Sequence, residues 1–97
     1  MAVIETMTFR LAAGADEQAF READARVQTE FAYSQRGLAR RTTARGSSGE
    51  WIVIDLWYSE ADADACDERW AADPVARSFM ALVDPATVRT ARYTTLD

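Results

Sequence analysis

Residues 51 to 59 read Trp-Ile-Val-Ile-Asp-Leu-Trp-Tyr-Ser, a run rich in aromatic and β-branched side chains and apolar on both faces except at Asp55. As a strand it places Trp51, Val53, Asp55 and Trp57 on one side and Ile52, Ile54, Leu56 and Tyr58 on the other. A strand apolar on both sides needs two covers. A chain of 97 residues holds one modest core and has few layers to offer. The expectation is that its own helices cover the Ile52-Ile54-Leu56-Tyr58 side, and that a second copy of the chain covers the side of Trp51, Val53, Asp55 and Trp57.

The flanking segments supply the other elements. Val3 to Leu11 alternates as a strand, with Glu5 in phase with Met7 and Phe9. Asp16 can cap a helix whose apolar stripe is Phe20, Ala23, Val27 and Phe31, with Gly37 as a left-handed stop shortly after it. Leu38 to Arg45 is a more polar strand. Gly46-Ser47-Ser48-Gly49 then makes a hairpin connection to the strand from Glu50 to Tyr58. Ser59 caps a second helix with a stripe at Ala63, Cys66 and Trp70, which breaks and restarts at Asp73-Pro74. Thr87 to Leu96 alternates again. The order β-α-β-β-α-β describes one domain over residues 1-97. It is an α+β, ferredoxin-like chain with a four-stranded antiparallel sheet and helices on one face.

Composition excludes several kinds of chemistry. A net charge of −5 argues against general nucleic-acid binding and docking on anionic lipid. No apolar run approaches the ~20 residues of a membrane span, and the amino terminus lacks the pattern of a signal peptide. A cytoplasmic location is expected, with no nucleic-acid or membrane partner. All 11 basic residues are arginine, and histidine, lysine and asparagine are absent. Histidine ligation of haem and lysine Schiff bases are therefore excluded, and one cysteine with scattered carboxylates makes no recognisable metal site. Neither a cofactor nor a metal is expected.

Acids, arginines and aromatics remain. Asp55 interrupts an apolar strand, and a bare buried carboxylate costs several kcal/mol. It fits either an ion pair at a subunit interface, with Arg40, Arg41 or Arg92, or a general base in a cleft. Glu5 carries the same two readings. The interface pair is favoured for Asp55, which puts Trp51, Val53, Asp55, Trp57 and Arg92 at the interface. Tyr58, Trp70 and Phe79, together with Glu5, are the candidates for a ligand pocket between sheet and helices. Tyr58 is the foremost of them, because a buried hydroxyl must find a partner.

The pattern Phe31…Gln35-Arg36-Gly37-Leu38…Arg40, then Gly49-Glu50-Trp51, Trp57-Tyr58-Ser59-Glu60 and Asp73-Pro74…Phe79…Val83-Asp84 resembles small dimeric α+β barrel proteins. It is similar to the antibiotic-biosynthesis monooxygenase-like group. The resemblance covers nearly the whole chain and implies a homodimer in which two sheets meet face to face, each subunit keeping a pocket between sheet and helices. It carries little about chemistry, since the scaffold hosts many functions. Members of the superfamily commonly use Asn, His and Trp; only Trp is available here. Two functions fit: binding of a small hydrophobic or aromatic molecule without catalysis, or cofactor-free oxygenation of a polycyclic aromatic or quinol substrate.

Overall fold

The computed structural model describes residues 1–97. Four strands, β1 (Val3–Phe9), β2 (Leu38–Arg45), β3 (Trp51–Trp57) and β4 (Arg89–Thr94), form one antiparallel sheet in the order β2-β3-β1-β4. The helices are α1 (Glu17–Arg26), α2 (Glu60–Ala72) and α3 (Pro74–Met80). This is the ferredoxin-like arrangement expected from the element order.

The local signals act as their chemistry requires. The Asp16 carboxylate accepts from the Ala19 backbone N–H at the start of α1, and the Ser59 hydroxyl accepts from that of Asp62 at the start of α2. Asp73 ends α2 in extended backbone and its carboxylate caps α3, with Pro74 at the first helical position. Gly37 has φ +81°, and a Cβ there would also collide with the Asp62 side chain, so this turn requires glycine. Beyond Arg26 the first helix widens into a π-helical turn, Val27–Phe31, which the helical periodicity did not anticipate. β1 is shorter than expected. Leu11 contributes only an isolated bridge to Val83.

The face assignment for β3 is inverted relative to expectation. Trp51, Val53 and Trp57 are buried beneath the chain's own helices, with Trp57 only 1% exposed. Ile52, Ile54 and Leu56 lie on the opposite side of the sheet and stay half-exposed. Both sides of the run are apolar, so period-two alternation cannot say which one the helices take. The bulk of the two indoles and the aromatic partners waiting on the helices decide it. The Trp51 ring lies 4.7 Å from that of Phe20 on α1.

Two hydrophobic clusters lie between sheet and helices. One joins Phe9, Phe20, Val27, Trp51, Val53, Phe79 and Val83. The other joins Val3, Phe31, Trp57, Ala63 and Cys66, and Trp70 packs against both. Strand register explains the division. On the helix-facing side, Phe9 opposes Trp51 and Met7 opposes Val53, while Val3 opposes Trp57. Between these apolar rows runs a charged one, Arg41–Asp55–Glu5–Arg92, crossing all four strands in sheet order. The core is split where that row crosses it.

Candidate functional site

A cavity of about 490 Å³ occupies the split, within the ~300–1,000 Å³ range of small-molecule sites. The sheet contributes the whole charged row together with Met7, Val53 and Trp57. The helical side contributes Val27, Phe31 and Gln35, and α2 adds Cys66, Asp67 and Trp70. Trp70 is held edge-on by Phe31 at 5.3 Å and Phe79 at 5.8 Å between ring centroids, which fixes an aromatic wall. Gln35 is tied down by its own hydrogen bonds. Its Nε2 donates to the Phe31 carbonyl and its Oε1 accepts from Arg69 Nε at 2.7 Å.

Neither arginine of the charged row bonds Asp55. Arg41 donates to Asp24 Oδ1 at 2.8 Å and to Gln28 Oε1 at 3.0 Å, both on the first helix and its continuation. Arg92 donates to Glu5 Oε2 at 2.8 Å, Asp64 Oδ1 at 2.6 Å and Asp67 Oδ2 at 3.1 Å. The Asp64 and Glu5 bonds raise the guanidinium's pKa, so it remains a fixed cation. Asp55 receives neither arginine. It faces Arg41 across the β2–β3 ladder, yet its Oδ1 is buried without any hydrogen-bond partner. Burial pushes its pKa from the ordinary 3.8 up to about 6; Arg41 pulls the other way, and Glu5 and Asp67 add to the rise.

Trp57 Nε1 is the other buried polar side-chain atom with no partner. An indole N–H can only donate, so it needs an acceptor. The Asp55 carboxylate and the Trp57 N–H stand two residues apart on one face of β3, and both residues line the cavity. Neither atom is bonded within the protein, so both are available to a polar group that enters the cavity. Cys66 supplies no nucleophile: burial first, then Asp55 and Asp67, push its thiol up to about 12. No group of three or more His, Cys, Asp or Glu side chains is placed to hold a metal ion.

The residues singled out from sequence are redistributed accordingly. Glu5 and Trp70 line the cavity. Tyr58 does not: it lies beyond the end of β3, 71% exposed, because the inversion of β3 turns it away from the helices. Phe79 is fully buried in the first cluster and backs Trp70 without lining the cavity. Trp51, Val53, Asp55, Trp57 and Arg92, expected at a subunit interface, all face the chain's own helices. Asp55, expected in an interface ion pair, faces the cavity instead, and no arginine of its own chain bonds it. Asp67 went unremarked in the sequence, although it follows Cys66 and stands four residues after Ala63 and three before Trp70, flanking the buried stripe of α2.

No family model and no curated protein matches the sequence. Solved structures do match its fold. SnoaB, a cofactor-independent oxygenase from Streptomyces nogalater, is 20% identical and superposes with a TM-score of 0.77 over 99% of this chain and 94% of its own. A proposed antibiotic biosynthesis monooxygenase from Bordetella bronchiseptica superposes with a TM-score of 0.81 at 9% identity, over 98% and 97% of the two chains. Rv0793 from Mycobacterium tuberculosis gives 0.71 at 16% identity, over 100% and 97%. The chain has the fold of these proteins. No helix is long and apolar enough to cross a membrane.

Proposed function

We propose that the chain binds a planar, oxygen-bearing aromatic molecule in the cavity and oxygenates it with molecular oxygen without a cofactor, Asp55 acting as general base. The observation that carries this reading is the pair of unpartnered atoms, Asp55 Oδ1 and Trp57 Nε1, on one face of β3. Alternate residues of a strand stand ~6.6 Å apart, so a single hydroxyl between the two side chains can donate to the carboxylate and accept from the indole. A carboxyl with a pKa about 6 is largely ionised at neutral pH and is a stronger base than an ordinary aspartate.

Removal of the proton leaves an electron-rich anion whose oxygen is met by the Trp57 N–H. For an anthrone-type substrate bound as its enol, in which one methylene proton has moved to the carbonyl oxygen, such an anion reduces dioxygen. One oxygen atom enters the product as a carbonyl and the other leaves as water, CH2 + O2 giving C=O + H2O. Both C–H bonds of the methylene supply the electrons, so no separate reductant is needed. The shared fold with SnoaB, described as a cofactor-independent oxygenase, supports the assignment. Binding without turnover is the second reading. It is favoured by the lack of histidine, lysine and asparagine, which leaves carboxylates to do all base chemistry.

A second copy of the chain is the proposed partner. Every helix lies on one side of the sheet, and Ile4, Ile52, Ile54 and Leu56 form the centre of the uncovered side. An apolar patch of this kind on a small domain marks an association surface.

Oxygen uptake with anthrone and 1,4-naphthohydroquinone, run in ¹⁸O₂, tests the reading. Expected are uptake by the native chain, one labelled atom in the anthrone product, and loss of uptake in Asp55→Asn. Uptake no greater than that of heat-unfolded protein across both compounds would refute turnover and leave binding alone.

A further inference from the structure

We propose that Glu5 and Asp67 carry the proton taken up by Asp55 out to solvent, a role that rests on the reading of Asp55 as the base. A base set between two hydrophobic clusters must discharge its proton before it can act again, and the cavity wall offers a carboxyl route. Glu5 is the direct cross-strand partner of Asp55, a relation that puts the two Cβ atoms ~4.5–5.5 Å apart. Glu5 Oε2 and Asp67 Oδ2 in turn converge on one atom, Arg92 Nη2, at 2.8 and 3.1 Å. Exposure rises along the series. Asp55 Oδ1 is buried, the Glu5 side chain is 20% exposed and that of Asp67 is 59% exposed.

The charged and titratable groups around Asp55 leave no competing route. Arg41 on β2 is bonded to Asp24 of α1, and Arg92 on β4 remains a cation throughout. Cys66 on α2 is a thiol held too high to exchange protons near neutrality. Glu5 on β1 and Asp67 on α2 are the remaining acceptors. Burial and the nearby Glu5 raise the pKa of Asp67, which suits it to hold a passing proton. Each transfer conserves charge: the proton leaves protonated Asp55 for the Glu5 carboxylate, passes to Asp67 and ends on water. Each donor is returned to its anion. Arg92 holds the two outer carboxylates together without changing its own protonation.

The test compares native protein with Glu5→Gln, Asp67→Asn and Asp55→Asn in oxygen uptake with anthrone, in a bulky sulfonate buffer with and without imidazole. Loss of the relay should lower kcat roughly tenfold or more with KM unchanged, and imidazole, small enough to enter the cavity, should restore it. Asp55→Asn should not respond to imidazole. Unchanged kcat in both relay variants, or losses indifferent to imidazole, would overturn the relay while leaving Asp55 as base. If the native chain takes up no oxygen the oxygenase reading fails and the relay falls with it; ¹³C-carboxyl titration by NMR separately reads the coupling of the three carboxyls, which the relay requires. A midpoint of Asp55 that falls in both Glu5→Gln and Asp67→Asn supports a coupled carboxyl chain; one indifferent to both overturns it.

Discussion

Glu5 and Asp55 stand directly opposite each other across the β1–β3 ladder, both facing the helices. Like charges in that position repel, and the sheet flanks them with Arg92 on one side and Arg41 on the other. The compensation is unequal. Arg92 bonds Glu5, whereas Arg41 is drawn away to Asp24 and Gln28, and Asp55 keeps a buried oxygen to which no protein group donates.

That imbalance makes Asp55 a cost to stability. Its folded pKa of about 6 exceeds the ordinary 3.8. Between these values the folded chain holds a proton that the unfolded chain has released, so stability falls as pH rises through this window. The gap corresponds to on the order of 3 kcal/mol once both states are ionised. Asp55→Asn should therefore match the native chain near pH 4 and exceed its stability at pH 8, by on the order of 2 kcal/mol in urea unfolding. A variant less stable at pH 8 would mean that the carboxylate is held by a favourable partner.

Trp57 combines a packing role with a donor role, and a phenyl ring separates the two. Trp57→Phe keeps an aromatic wall and removes the N–H. Affinity for 2-naphthol, an air-stable hydroxyl-bearing probe, should fall roughly tenfold, the worth of one buried hydrogen bond. Affinity for naphthalene should change little. Calorimetric titration of both compounds checks this, and equal losses for the two would assign Trp57 to shape alone.

The inversion of β3 also moves the proposed association surface to the opposite side of the sheet. Leu56→Glu, on the uncovered side, should turn a dimer into a soluble monomer in analytical ultracentrifugation without disturbing the helix-facing core. Trp57→Asp should instead unfold the chain, because it places a charge in a site only 1% exposed. Dissociation by Trp57→Asp with the fold intact, and an undisturbed dimer in Leu56→Glu, would reverse the assignment.

Much of the fold was legible from local chemistry. Asp16, Ser59 and Asp73 announce their helices, Gly37 its turn, and Pro74 the break between α2 and α3, because capping and backbone freedom act within a few residues. The side of β3 that meets the helices depends on volume supplied from distant elements such as Phe20 and Phe79, which alternation does not encode. The candidate site is legible only in part for the same reason: Glu5 and Trp70 line the cavity, but alternation alone puts Tyr58 in the place that belongs to Asp55 and Trp57. One long-range signal was present. Glu5 and Asp55 are acids at in-phase positions of otherwise apolar strand faces, and two such interruptions are most economically buried side by side.

The most direct test of the account is the pH dependence of kcat/KM for oxygen uptake with anthrone. If Asp55 is the base, the native profile should rise through a pH of about 6 and reach a plateau above it, following ionisation of the free enzyme's carboxylate. The Asp55→Asn variant should show neither the rate nor the inflection. A native profile that is flat from pH 5 to 8, or an inflection that survives in Asp55→Asn, would contradict it.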